Sequence, residues 1–130
     1  MDIAINKNIE YEELNKFLKN MFPDLDFFLI YEGLNDWDDI KNEKAIFQYQ
    51  QNEDIEEGFK YGVFVHIKNN NILPLIEQLS AQISNHFMCA AFCDASRIVL
   101  KEQNTYYSLL FEQGKVYLVD DSIRRNGKSG

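Results

Sequence analysis

Two neighbouring segments in which core-type and other side chains alternate constrain the fold of this chain most. In the first segment, Ala45, Phe47 and Tyr49 fall on one face. The second segment, from Tyr61 to Ile67, has an apolar or aromatic residue at every other position. A period of two is typical of a half-buried β-strand, and the connection that ends at Gly58 predicts an antiparallel hairpin.

Two segments with apolar residues at helical spacing predict amphipathic helices that pack on this hairpin. The first helix is expected from Ile9 to about Met21, with Asn8 as its N-cap. The second is expected to begin after Asn71 and to run to about His86. Helices that bury one stripe against a sheet make a two-layer α+β domain.

The remaining apolar segments are short and predict further strands. They comprise residues 2–5, 27–31, 88–93, 98–100, 106–112 and 115–119. The segment 27–31 is expected to be buried on both faces, and Gln113-Gly114 is expected to form the turn of a last hairpin. The predicted order is β-α-β-β-β-α-β-β-β-β, a mostly antiparallel α+β two-layer fold in a single domain over residues 1–121. The basic segment 122–130 is expected to be a flexible tail.

The size and composition of the chain indicate a protein that folds without disulfides or metal. It has 130 residues, of which 45% are hydrophobic, and a domain of this length buries roughly two-thirds of the surface of its unfolded chain. The N-terminus lacks the features of a signal peptide, so a cytoplasmic location is expected. No apolar run approaches the ~20 residues of a membrane span. In that compartment Cys89 and Cys93 are expected to stay reduced.

The acidic residues are concentrated between Glu32 and Glu57, a stretch with nine acids and two bases in a chain of net charge −8. Trp37, the single tryptophan, lies among these acids. An acidic surface with an aromatic anchor suits a basic protein partner and disfavours nucleic acids and anionic membranes. The predicted partner-binding residues are Glu32, Asp36, Trp37, Asp38, Asp39, Glu53, Asp54, Glu56 and Glu57.

These acidic residues fall into two segments, both expected in loops. One segment precedes the strand that begins at Ala45, and the other follows its expected end at Gln50. The two segments should therefore lie at opposite ends of that strand. They would form one surface only if the loop that contains Trp37 folds back along the sheet.

The sequence offers little support for catalysis or metal binding. His86, Cys89 and Cys93 could supply three metal ligands in a helix, but in a strand the two cysteines lie about 13 Å apart, at ~3.3 Å per residue. No nucleotide-binding, nucleophile-elbow or calcium-loop motif occurs. No catalytic residue, metal or cofactor is predicted. An enzyme would have to use His66 or His86.

A short, acidic α+β domain with Trp37 set among carboxylates resembles the immunity proteins of bacterial polymorphic-toxin and contact-dependent growth inhibition systems. The resemblance is one of overall character and involves no signature motif. It implies a non-catalytic protein that neutralises a cognate toxin, in many cases a basic nuclease, with carboxylates facing Lys and Arg and with Trp37 as the anchor. Two alternatives stay open: a nucleic-acid mimic such as an anti-restriction or anti-CRISPR protein, and a small enzyme.

Overall fold

The computed structural model describes residues 2–41, 43–56, 58–67, 72–94 and 107–120. The elements in chain order are β1 (Ile3–Ile5), α1 (Tyr11–Met21), β2 (Phe27–Tyr31), a 3₁₀ helix (Trp37–Asp39), β3 (Ala45–Glu56), β4 (Phe59–Ile67), α2 (Ile72–Phe87), β5 (Ala91–Asp94), β6 (Tyr107–Glu112) and β7 (Lys115–Asp120). The strand predicted at 98–100, the tail at 122–130 and the cap at Asn71 lie outside the described residues.

The contacts within the chain divide it into two compact units, residues 1–70 and 71–130. In the first unit the strands lie in the order β2-β3-β4-β1, and in the second in the order β5-β6-β7. Every pairing described within the units is antiparallel except that of β2 with β3. With two helices and mostly antiparallel strands, the predicted two-layer α+β class is confirmed. The single domain over 1–121 stays a prediction.

Alternation along the paired strands gives the sheet of the first unit two distinct faces. The helix face, which packs against α1 and its ends, carries Leu29, Tyr31, Phe47, Tyr49, Val63 and Val65. The opposite face, here called the loop face, carries Phe28, Ile30, Ile46, Gln48, Phe64 and His66. Phe47 lies at the centre of the helix face, where its ring centroid is 5.7 Å from that of Phe22 and 5.3 Å from that of Phe27.

In the second unit, the main contacts of α2 are with β5 and β6. The buried hydroxyl of Ser84 donates a hydrogen bond shared between two backbone oxygens, Cys89 O at 2.6 Å and Phe111 O at 3.0 Å. The turn between β6 and β7 has φ of +53° at Gln113 and +75° at Gly114. Positive φ at both central residues is the signature of the type I′ hairpin turn, so the predicted last hairpin is confirmed.

The prediction that residues 88–93 form one strand is wrong, because α2 ends in a turn inside that segment. Met88 has a φ of +53°, the left-handed conformation that often follows a helix. Cys89 N then donates to Ser84 O at 3.2 Å, and β5 begins only at Ala91. Cys89 therefore belongs to the end of the helix and not to the strand.

The prediction that Asn8 caps α1 is also wrong, because Glu10 occupies the N-cap and Asn8 bonds to the sheet. Asn8 Oδ1 accepts a hydrogen bond from the hydroxyl of Tyr49 at 2.7 Å, and the same hydroxyl accepts from Ile9 N at 2.9 Å. The hydroxyl of Tyr31 donates to Ile9 O at 2.6 Å. Two tyrosines of the sheet thus hold the chain where it enters α1.

These tyrosines belong to a row of rings across β2, β3 and β4. Tyr31 and Tyr49 stack with centroids 4.7 Å apart, and Tyr49 and Tyr61 with centroids 6.1 Å apart. Burial raises the pKa of Tyr49 and of Tyr31 above the ordinary value of 10.0, and the nearby Glu10 carboxylate adds to the shift of Tyr31. The folded state therefore binds these protons more tightly than the unfolded state does.

Tyr49→Phe is expected to lower the free energy of unfolding by about 1–3 kcal/mol, because the buried N–H of Ile9 loses its acceptor. The raised pKa of Tyr49 makes its contribution complete below pH 10 and smaller as the pH rises above that value. Stability should therefore fall between about pH 8 and about pH 11 in wild type, and less steeply in the variant. Urea unfolding at both pH values measures this. Tyr117→Phe, the same change at a residue that is 46% exposed, is the control.

Candidate functional site

The segment between β2 and β3, residues 32–44, is placed by the parallel pairing of those strands. We call it the Trp37 loop. Because neighbouring parallel strands run in the same direction, the chain must return along the sheet before β3 can begin. Trp37 lies on the returning part, and its ring is 5.3 Å from the ring of His66 on β4. His66 belongs to the loop face, so the Trp37 loop folds back over the face opposite α1.

The start of the Trp37 loop is fixed by Asn35 to the free edge of β2. Glu32 N donates to Tyr49 O on β3, so by alternation the backbone groups of Leu29 and Tyr31 point to the outer edge. Asn35 Oδ1 accepts from Tyr31 N at 2.8 Å, and its Nδ2 donates to Leu29 O at 3.1 Å. The side chain therefore replaces part of a missing strand and covers an edge that could otherwise pair with another chain.

The acidic residues around Trp37 hold their own backbone in a 3₁₀ turn. Asp36 Oδ1 accepts from Asp38 N at 2.9 Å, and Asp39 Oδ2 accepts from Asp36 N at 3.0 Å. Such reciprocal bonds satisfy the free N–H groups at the start of a helical turn. They use one oxygen each of Asp36 and Asp39, and all three carboxylates lie on exposed residues. The turn therefore presents fixed negative charge to solvent.

Trp37 combines exposure with a defined position. Its side chain is 48% exposed, and its edge-to-face contact with His66 is of a kind worth about 0.5–1.5 kcal/mol between aromatic rings. The ring of His66 lies nearly parallel to that of Phe64, with centroids 6.3 Å apart. The three rings make an aromatic surface beside the carboxylates of the turn.

Sequence reasoning did not include His66 or Phe64 in the site. The alternation along β4 separates both from the core residues Val63 and Val65 and places them on the opposite face. That pattern identifies a surface histidine but gives no information on which loop lies over it. Knowledge that β2 pairs in parallel with β3 would have provided that information, because the loop between them must then return along the sheet.

The second acidic segment, which begins at Glu53, lies away from the Trp37 loop. The prediction that it forms a loop is wrong, because β3 continues to Glu56, which pairs with Phe59 at the start of β4. Glu53, Asp54 and Glu56 are thus in the strand, although their side chains, like the whole of Glu57, lie outside the described structure. His66 pairs with Ile46, and Glu53 is seven residues further along β3, about 23 Å at ~3.3 Å per residue.

The structure therefore brings together Asp36, Trp37, Asp38 and Asp39 and separates them from the second segment. Glu32 lies between the two groups, exposed, with its Oε1 accepting from Gln51 N at 2.9 Å. Among the residues whose side chains are described, the first acidic group combines carboxylates with an exposed aromatic side chain, that of Trp37. It is the better candidate for a binding site.

The two units differ sharply in charge. Residues 1–70 contain fifteen acidic and seven basic residues, a formal charge of −8, whereas residues 71–130 contain six of each. The formal net charge of the chain thus resides in the unit that carries the Trp37 loop. A positively charged partner would be attracted to this unit first, because summed charge steers association.

The histidine and cysteines of the second unit form no comparable site. His86 is exposed near the end of α2 with its ring 4.7 Å from that of Phe87, and Cys89 and Cys93 are buried. Burial raises the pKa of Cys93 to about 11, which keeps the thiol protonated and poorly nucleophilic at neutral pH. Within the described ranges, no group of three or more His, Cys, Asp or Glu residues is arranged to hold a metal ion.

In the part of the chain that the structure describes, neither helix has the length and apolar character needed to span a membrane. Comparison of the chain with protein-family models, with curated proteins and with solved structures gave no match. The function must therefore be argued from the geometry and charge of the Trp37 loop.

Proposed function

We propose that this protein is a non-catalytic immunity protein that binds and neutralises a cognate toxin domain. The toxin would be basic, as a nuclease is, and would be held at the Trp37 loop. The observation that carries the proposal is the arrangement of Trp37, which is half exposed yet fixed by His66 and surrounded by Asp36, Asp38 and Asp39. Tryptophan is among the residues most enriched in binding hot spots, and charged residues around it would form the polar rim of the contact.

The preorganisation of the Trp37 loop supports a role in binding. Asn35 ties the loop to β2, and the carboxylates of Asp36 and Asp39 cap its turn before any partner arrives. A loop that is already ordered loses less conformational entropy on binding, so more of its contact energy appears as affinity. A solvated loop that serves only solubility requires no such bonds.

The charge distribution supports a basic partner. The formal net charge of −8 resides in the unit that carries the loop, so the long-range field steers a cationic surface towards Trp37. Carboxylates that meet Lys or Arg at a partly buried contact form charge-assisted hydrogen bonds. Association should accordingly slow as salt increases, because the Debye length falls from about 10 Å at 0.1 M to about 3 Å at 1 M.

The test is capture of the partner by the tagged protein from its native cells at low salt, with identification by mass spectrometry. Asp38→Asn with Asp39→Asn is expected to lower partner recovery at least tenfold, since removing charges from a close ion pair typically costs a few kcal/mol. Glu12→Gln with Glu13→Gln is the matched control. It removes the same charge from exposed positions on α1 and should leave recovery nearly unchanged.

Each outcome of the capture distinguishes the proposal from its alternatives. Recovery of a basic toxin domain, lost in the Asp38/Asp39 variant and kept in the control, supports the immunity function. Equal losses in both variants would mean that net charge alone binds the partner, against a defined site. Recovery of a nucleic-acid-processing complex would favour a mimic of nucleic acid instead.

A further inference from the structure

The last strand of the second unit, β7, has an exposed apolar edge. Val116 is 56% exposed, Tyr117 46% and Leu118 50%, and these three residues are consecutive. β7 ends the order of strands, and no described strand pairs with its outer side. Edge strands are usually protected by charge, proline, a bulge or a covering segment. Three consecutive apolar residues at an edge are therefore unusual and favour pairing with another strand.

The position of α2 explains why these side chains stay exposed. Val116 pairs with Phe111, and Leu118 pairs with Leu109 on β6. The backbone oxygen of Phe111 accepts from Ser84 of α2, and the main contacts of the helix are with β5 and β6. The sheet thus extends one strand beyond these contacts, so the side chains of β7 remain accessible.

The turn before β7 determines which backbone groups point outward. A two-residue type I′ turn at Gln113-Gly114 makes Glu112 and Lys115 the hydrogen-bonded pair that closes the hairpin. Hydrogen-bonded and non-hydrogen-bonded pairs alternate along an antiparallel ladder. The N–H and C=O groups of Val116 and Leu118 therefore point away from β6, where an added strand could bond to them.

We propose that this edge binds the β7 strand of a second copy of the chain, in antiparallel orientation about a two-fold axis beside Tyr117. In this register Val116 faces Leu118 of the second copy, so the outward backbone groups bond to each other. Tyr117 faces its own counterpart on the other side of the sheet. All three exposed apolar residues are then matched with apolar residues, and the strands β5, β6 and β7 of the two copies form one continuous sheet.

The charges favour a second copy over a charged partner at this edge. The unit that carries β7 has six acidic and six basic residues and thus no net charge, whereas the other unit carries −8. A unit without net charge is not repelled by the net charge of an identical unit, and low net charge promotes association. The acidic unit disfavours self-contact, so association of identical chains is expected through the neutral one.

The first test measures molar mass against concentration by sedimentation equilibrium. Wild type is expected to approach twice the 15.3 kDa of the chain, and Leu118→Lys is expected to remain at the mass of one chain. Leu34→Lys is the matched control, because Leu34 is 59% exposed on the other unit. It should still dimerise. Circular dichroism establishes that both variants are folded. A monomeric wild type, or a Leu118→Lys variant that dimerises normally, would overturn the proposal.

The second test examines the register by disulfide formation. Directly opposed residues in a non-hydrogen-bonded pair have Cα atoms about 4.5 Å apart, within the range of a disulfide. Tyr117→Cys should therefore cross-link into a dimer under mild oxidation. Val119→Cys should not, since its two copies would lie four positions apart, about 13 Å. The native cysteines are buried and give little background. Equal cross-linking of both variants would exclude this register.

Discussion

Replacing Trp37 by alanine is expected to weaken binding of the captured basic partner by about 30-fold or more, which corresponds to roughly 2 kcal/mol. The indole supplies the only large, fixed and exposed aromatic surface among the carboxylates of the 3₁₀ turn. Alanine removes that contact area and also the ring that packs on His66. Most of the loss should appear as faster dissociation, as is usual for changes within one interface. Surface plasmon resonance with the purified partner measures both rates.

The matched control for this variant is Leu34→Ala, in the same loop. Leu34 is apolar and 59% exposed, so it is more accessible than Trp37, which is 48% exposed. Its replacement should change the affinity less than threefold, as is typical of surface positions outside a hot spot. Equal effects of the two variants would argue against Trp37 as the anchor. Because Trp37 is half exposed, its loss should lower the stability of the fold only slightly.

Phe47→Ala is expected to lower the free energy of unfolding by about 3–5 kcal/mol. Phe47 is 0% exposed, and its ring contacts those of Phe22 and Phe27 on the helix face. Alanine leaves a cavity between α1 and the sheet, and the flanking rings lose close contacts. A domain of this size is stable by about 5–15 kcal/mol, so this single change could remove much of its stability. Urea unfolding followed by circular dichroism gives the value.

Phe64→Ala is the matched control for Phe47→Ala. Phe64 lies on β4 opposite Gln48, on the loop face, and is only partly buried. The chemical change is the same, but less apolar surface returns to water, so a smaller loss is expected. If Phe64→Ala destabilised the protein as much as Phe47→Ala does, the helix face would not be the main core of this unit.

The sequence predicts the local elements well because each depends on periodicity. Alternation locates β4 and the start of β3, and helical spacing locates α1 and α2 to within a few residues. Periodicity does not predict where an element begins when a single turn or side-chain hydrogen bond determines that position. Met88 with its positive φ delays β5, and the hydroxyl of Tyr49 takes Asn8 away from the helix. Neither the turn at Met88 nor the hydrogen bond between Tyr49 and Asn8 follows from apolar patterning.

The candidate site could be predicted only in part for a related reason. The apolar run from Phe27 to Tyr31 indicates a strand but not the direction in which it pairs. A parallel pairing with β3 makes the following loop a crossover, and that alone sets Trp37 against His66. The cluster of Asp36, Asp38 and Asp39 was visible in the sequence because its members are neighbours. The division of the acids into two places was also expected, because the two segments flank the strand, but the extension of β3 to Glu56 was not.

The crossover loop is also longer than is needed to connect β2 to β3. Tyr31 pairs with Tyr49, and β3 begins at Ala45, so the ends of the Trp37 loop are about 13 Å apart, at ~3.3 Å per residue. Its thirteen residues could span about 40 Å if extended. The loop thus contains far more chain than the gap requires. Residues on its exposed side can be exchanged, and its length altered, without moving either strand, so under the proposed function a change of partner specificity would require no change in the fold.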